Sequence, residues 1–309
     1  LDHFAHWLDW AAERGLGVDF NATLFGHPMA ASGLTLAHPD ARVRGFWVDH
    51  VRACRSIGAQ IGRRLGTACL HDLWIPDGSK DECVDRQAHR LRLLASLDEI
   101  YAERHDPACL KDALESKLFG IGSESFVVGS HELYLGYCQA HGLLPCLDLG
   151  HFHPTESVAD KISALLPFHS ELLLHLSRGV RWDSDHVVVL DGGLCEVVRE
   201  VVRCRALERV HLALDYFDAT INRVAAWVVG MRATRQALLQ ALLEPIDRLR
   251  SLEADGDYGA RLALLEHVRT LPWAVVWSEL CRRSDTPAGL SWLDVVREHE
   301  VRIQRPREA

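Results

Sequence analysis

Leu144-Pro145-Cys146-Leu147-Asp148-Leu149-Gly150-His151 is a short apolar run that ends in a carboxylate, a glycine turn and an imidazole. Its apolar residues follow one another without helical spacing, and the run is too short for a buried helix. It reads as a strand covered on both faces whose carboxyl end carries polar groups. The same pattern recurs outward from it. Runs end at residues 16–21 and 70–75 before it, then at 113–117, and at 172–175 and 210–215 after it. Amphipathic helical stretches lie between them, over residues 42–65, 85–103 and 221–250. Strand then helix, repeated six times, predicts a parallel sheet.

Six units suit an open doubly wound sheet as well as part of a barrel. The polar residues at the run ends decide for the barrel. Glu115, Asp148 with His151, His175 with Asp183 and Asp185, and Asp215 with Asp218 stand at four successive ends. A wound sheet spreads its strand ends along a line, whereas a (β/α)8 barrel gathers them around one axis at its catalytic face. So many carboxylates and imidazoles brought together repel unless cations neutralise them, and the number of groups suits two divalent ions. Taken singly, each signal has an ordinary reading. Glu115 and Lys117 share one side of a strand and could form a surface ion pair. Asp183-Ser184-Asp185 could chelate an ion or cap a helix, and Asp215 could simply end a strand.

Composition bounds the rest. The 309 residues are 48% hydrophobic and 25% charged, which sustains one large core and no separate linker-joined domain, so residues 1–309 read as a single domain with a helical tail from about residue 235. A formal net charge of −9 repels phosphate backbones and argues against a nucleic-acid partner. Nine cysteines, odd in number and without a C-x-x-C pair, point to a reducing cytoplasm rather than a disulfide framework. No apolar run approaches the roughly 20 residues of a membrane span. Residues 1–8 already carry an amphipathic helical pattern, so the chain is expected to start inside a fold.

Longer motifs carry a resemblance. Val18-Asp19-Phe20-Asn21 with Gly26-His27-Pro28, Leu73-Trp74-Ile75-Pro76-Asp77-Gly78-Ser79-Lys80-Asp81, and Glu115-Ser116-Lys117-Leu118-Phe119-Gly120-Ile121-Gly122 lie in the first half. Leu147-Asp148-Leu149-Gly150-His151-Phe152-His153-Pro154, Val180-Arg181-Trp182-Asp183-Ser184-Asp185-His186 and Phe217-Asp218-Ala219-Thr220-Ile221-Asn222-Arg223 follow. In this order they resemble the L-rhamnose isomerase family along essentially the whole chain. The resemblance implies a TIM barrel and a cytoplasmic homotetramer that interconverts L-rhamnose and L-rhamnulose by a metal-assisted hydride shift. It implies two ions per chain, Mn2+ or else Co2+ or Mg2+. His151, Asp183 and Asp185 correspond to ligands of the catalytic metal, and Glu115, Asp148, His175 and Asp218 to those of the structural metal. Lys117, Trp74 and His27 correspond to substrate-site residues, with Lys117, Asp218 and His27 also expected to take part in catalysis. Phe25, Phe152 and Trp182 are expected to help dry the site. Family members carry two further strand–helix units ahead of the region matched here, so the chain is expected to lack the barrel's first two β/α units.

Two other readings compete. A metal-dependent phosphoester hydrolase on the same barrel would use the same carboxylates and imidazoles, but the acidic balance offers no basic patch for phosphate. An inactive truncated remnant of the isomerase would bind metal without turnover.

Overall fold

In the computed structural model, which describes residues 1–118, 125–180, 185–218 and 220–308, five parallel strands form the main sheet in the order β1, β3, β5, β6, β7. They are β1 (Cys69–Trp74), β3 (Leu110–Glu115), β5 (Leu144–Asp148), β6 (Leu172–Leu176) and β7 (Val210–Leu214). A two-residue ribbon, β2 (Gly78–Ser79) with β4 (Phe126–Val127), pairs antiparallel beside it. Each main strand is followed by a helix: α3 (Arg86–Ala102), α4 (His131–His141), α5 (Val158–Leu165), α6 (Gly192–Arg203) and α7 (Arg223–Leu242). Before the sheet come α1 (Ala5–Glu13) and α2 (Ala41–Leu65). The repeated β/α order and the parallel sheet expected from the sequence are present, as a half-barrel.

The sixth expected strand is absent. Residues 16–21 have no strand geometry, yet they lie along β1. The Phe20 amide donates to the Leu70 carbonyl at 3.2 Å, while the Asp19 and Asn21 side chains accept from the Leu70 and Asp72 amides at 2.7 and 2.9 Å. Side-chain oxygens thus replace the backbone partners a strand would offer. Gly15, at a φ of +63° just before this segment, and Gly17 within it weaken extended structure here.

Three apolar layers hold the sheet. One packs α2, α3 and α4 on β1 and β3, through Trp47, Val51, Leu93, Leu97, Leu73 and Leu114 among others. A second packs α5, α6 and α7 on β5, β6 and β7, through Leu147, Leu174, Val198 and Ala237. A third, much smaller cluster of Ala113, Leu144, Cys146 and Leu173 fills the opposite face of the sheet, which is the inside of the half-barrel. Helix starts obey local chemistry. Asp40 accepts from the Arg42 amide at α2, Asp191 from Leu194 at α6, and Asn222 from Val224 and Ala225 at α7. Arg55 locks α2 to the sheet, with a two-pronged bond to Asp112 at 2.9 and 2.8 Å and a third bond to the Ile100 carbonyl at 2.7 Å.

The helical stretch expected over residues 221–250 is two helices, α7 and α8 (Ile246–Ala254), separated at Pro245, which cannot donate a helical hydrogen bond. Residue 235 therefore lies within α7, the helix that belongs to β7. Beyond α8 come α9 (Tyr258–Arg269), α10 (Trp273–Arg283), α11 (Trp292–His299) and α12 (Arg305–Glu308). α10 and α11 pack on α7. Arg232 of α7 reaches the Pro287 carbonyl at 2.6 Å and lies over the Trp277 ring at 5.3 Å.

Candidate metal centre

Side chains alternate along a strand, and paired residues of parallel neighbours face the same side. The registers pair Asp72 with Ala113, Glu115 with Cys146, Asp148 with His175, and His175 with Ala213. With Ala113 and Cys146 in the inner cluster, Asp72, Glu115, Asp148 and His175 all face the inside of the half-barrel. The last three stand at or next to the carboxyl ends of β3, β5 and β6. Asp215 follows β7 directly.

These residues converge. Ligand atoms of Glu115, Asp148, His175 and Asp215 all lie within 4.8 Å of one another. His175 Nδ1 is 3.1 Å from Asp215 Oδ2, 3.5 Å from Glu115 Oε2 and 3.7 Å from Asp148 Oδ2. A second set, Asp148, His151 and Asp185, meets the same limit, with His151 Nε2 3.1 Å from Asp185 Oδ1. Asp148 belongs to both sets and joins them.

The surroundings orient these groups. His151 Nδ1 lies 3.2 Å from the Ser116 carbonyl oxygen. A carbonyl can only accept, so Nδ1 carries a proton, and Nε2, turned toward Asp148 and Asp185, is the nitrogen that could ligate a metal once it gives up its own proton. Nδ1 is also 2.9 Å from Glu115 Oε1, a close charge contact in addition to that hydrogen bond. Ser177 donates to Asp148 Oδ1 at 2.5 Å and accepts from the Gly150 amide at 2.8 Å, while Gly150 also donates to Asp148 at 2.6 Å. One oxygen of Asp148 is thereby occupied and Oδ2 is left facing the site.

Electrostatics records the crowding. Burial pushes Asp148 up to about 7, against the opposing pull of His151. Burial also raises Asp72, and neighbouring Glu115 adds to the shift. Glu115 goes the other way, because His175 and His151 outweigh its burial and hold it well below the usual carboxylate range. Burial would lower both imidazoles, but Asp148, Asp185 and Glu115 around His151, and Cys146, Glu115 and Asp215 around His175, raise them. The groups shift one another because carboxylates and imidazoles are packed together out of water.

The family profile of L-rhamnose isomerase (RhaA) matches residues 1–307. L-rhamnose isomerase of Salmonella newport (strain SL254) is 56% identical over 306 residues, covering 99% of this chain and 73% of that protein. The enzyme of the same name from Salmonella typhi has the same identity and coverage. The chain belongs to the L-rhamnose isomerase family. Among solved structures, L-ribulose 3-epimerase superposes with a TM-score of 0.53 at 14% identity, covering 76% of this chain and 80% of that one. D-psicose 3-epimerase with D-tagatose from Clostridium cellulolyticum H10 gives 0.51 at 12%, covering 76% and 83%. At such identities these two speak for the fold alone, a TIM-barrel-like arrangement.

Within this L-rhamnose isomerase family chain, the expected site residues fall in three places. Glu115, Asp148, His151, His175 and Asp185 are together. Asp218 is not in either set; its Oδ1 accepts from the Thr220 amide and hydroxyl and so closes its own turn, and Asp215 takes the place expected for it. The distinction depends on where β7 ends, which apolar patterning does not fix. Lys117 lies over the Trp74 ring, 4.7 Å from its centre, and Phe25 meets Trp74 edge-on at 5.5 Å, so both pack on Trp74. His27 is held on α2: its ring stacks on Phe46 at 4.9 Å and its Nδ1 accepts from the Met29 amide. Phe152 packs into the α5–α7 layer. Asp183 and Trp182 lie outside the described residues. Asp72, Ser116 and Ser177 were not expected. For Asp72 the signal was available, since it stands two residues before Trp74 and shares its face.

Proposed function

We propose that this chain is an aldose–ketose isomerase interconverting L-rhamnose and L-rhamnulose, with two divalent cations held inside the half-barrel. The observation that carries the reading is a buried cluster of carboxylates and imidazoles at successive strand ends in a chain of the L-rhamnose isomerase family. The donors suit cations. Asp148 Oδ2 is buried without a hydrogen-bond partner, a costly state that a metal ion relieves. Glu115, Asp148, His175 and Asp215 would hold one ion, and His151 and Asp185, with Asp183 and the shared Asp148, the other. Oxygen and imidazole donors favour Mn2+, Co2+ or Mg2+, and Mn2+ is our choice. When bound, such ions polarise a sugar carbonyl and lower the pKa of the adjacent hydroxyl.

The chain's own groups do the rest. Lys117, held over Trp74, sets positive charge where an alkoxide develops. Trp74 and Phe25 exclude water from the reacting carbons. His27 stands on the neighbouring loop, where we place it at the rim of the sugar site. The same reading takes the sheet as part of a (β/α)8 barrel lacking its first two units, with residues 16–21, bonded along β1, in the place of the third strand. In support, β7 pairs only with β6 among the described residues, and the chain spans 73% of its relatives' length. It also takes the enzyme as a cytoplasmic homotetramer, on the strength of the family resemblance; no helix among the described residues is long and apolar enough to cross a membrane.

The test is isomerisation of L-rhamnose by protein stripped with EDTA and resupplied with Mn2+. Turnover should disappear on stripping and return on addition. Turnover indifferent to EDTA, or none with any of the three ions, would contradict the reading.

A further inference from the structure

We propose that Asp77 is a positioning residue for the sugar site: its carboxylate clamps the loop over residues 22–39, which carries Phe25 and His27, to the segment that leaves β1 at Trp74. Asp77 lies between β1 and β2 and is fully buried. A carboxylate taken out of water is costly unless donors replace its hydration. Here they come from one short stretch of the loop. Oδ1 accepts from the Thr35 amide at 2.7 Å and from the Thr35 hydroxyl, and Oδ2 accepts from the Ala37 amide at 2.6 Å. The backbone beside it repeats the link, since the Gly78 amide donates to the Gly33 carbonyl at 3.1 Å. On its other side, the Asp77 carbonyl accepts from the Val128 amide at 3.0 Å.

Other bonds of the loop run to the helices. His50 of α2 meets the Thr23 carbonyl at 3.1 Å, while Ser96 and Arg92 of α3 donate to the Leu36 and Ala37 carbonyls at 2.7 and 3.0 Å. Asp77 and Gly78 instead tie the loop to the chain leaving the strand end, where Phe25 meets Trp74 edge-on. Phe25 is 45% exposed, so burial gives only part of what holds it on Trp74, and the clamp supplies the rest. The geometry asks for a carboxylate. An asparagine has a single oxygen acceptor, and turning that oxygen to Thr35 sets its NH2 against the Ala37 amide. With the clamp loosened, the loop is in place in only a fraction of chains. Apparent sugar affinity falls by that fraction, whereas saturated enzyme turns over as before. This kinetic consequence rests on the isomerase reading; the clamp itself does not.

The experiment compares the full chain with Asp77→Asn by amide hydrogen exchange and by steady-state kinetics on L-rhamnose with Mn2+. Peptides covering residues 22–39 should exchange about tenfold faster in the variant, and peptides from α5 and α6 should keep their rates. KM should rise by about tenfold, with kcat within about twofold of the parent. A role in overall folding alone would thin out the active enzyme, lowering kcat and leaving KM in place. Thr35→Ser, which keeps both donors, should match the parent in both measurements. Unchanged exchange over residues 22–39 in Asp77→Asn, or a lowered kcat at constant KM, overturns the proposal. If Asp77→Asn does not fold, judged by circular dichroism, Thr35→Val decides: it removes one of the three bonds and should speed loop exchange by about threefold, and exchange at the parent rate overturns the proposal. A parent chain that does not isomerise L-rhamnose sinks the isomerase reading alone, because exchange still reads the clamp.

Discussion

Asp215 and Asp218 are three residues apart, yet only Asp215 reaches His175, while Asp218 folds back onto Thr220. Asp215→Asn should therefore lower Mn2+ affinity by about 10–100-fold or more, and Asp218→Asn should change it little, both read by calorimetric titration. Ser177→Ala removes a bond to Asp148 without touching the ligand sphere, and about a tenfold loss of Mn2+ affinity is expected in the same assay. Acid should act on the same carboxylate. A protonated Asp148 cannot ligate, and its pKa is raised to about 7 in the metal-free chain, so Mn2+ binding is complete above that pH and lost progressively as pH falls through it. The imidazoles, also raised, must likewise lose protons before they ligate and add to the trend. Titrations at several pH values check the sign; affinity that rises toward acid would be the opposite outcome. The converging side chains were legible in the sequence wherever a strand end could be located from its apolar run, as at Asp148. Asp215 was not separable from Asp218, because the chain after β7 leaves regular structure and periodicity there says nothing about direction. Asp72 was legible too, by alternation from Trp74, although it lies inside its run and not at the run's end.

At the scale of elements, periodicity located the helices well and the first strand badly. Residues 16–21 alternate apolar and polar groups as a strand does, but Gly15, Gly17 and the side-chain bonds of Asp19 and Asn21 to β1 take them out of the ladder. The long pattern over residues 221–250 concealed a break because its apolar stripe continues across Pro245. Packing of α2 on the sheet depends on a feature invisible to patterning: a Cβ on Gly62 would collide with the Cys109 carbonyl oxygen. Backbone cannot yield as a flexible side chain does. Gly62→Ala should cost roughly 1–3 kcal/mol through overpacking, despite alanine's better helix propensity, and the measurement is a lowered Tm against the parent chain. An unchanged or raised Tm would show that α2 sits further from the loop before β3.

For the whole molecule, the parallel sheet is what turns scattered residues into a site. Glu115 and Asp215 are a hundred residues apart in sequence and face one cluster because every β/α repeat returns the chain to the same end of the sheet. Separation along the chain hides such a site from local reading; the succession of strand ends reveals it. The half-barrel of five strands brings the candidate ligands together, and the chain belongs to the L-rhamnose isomerase family. The most direct test of this account is a crystal of the Mn2+-loaded chain mapped by anomalous scattering. It should show two peaks within roughly 2.0–2.6 Å of donor atoms, one among Glu115, Asp148, His175 and Asp215 and one at His151 and Asp185. Manganese absent from these residues, or bound elsewhere while turnover persists, would contradict it.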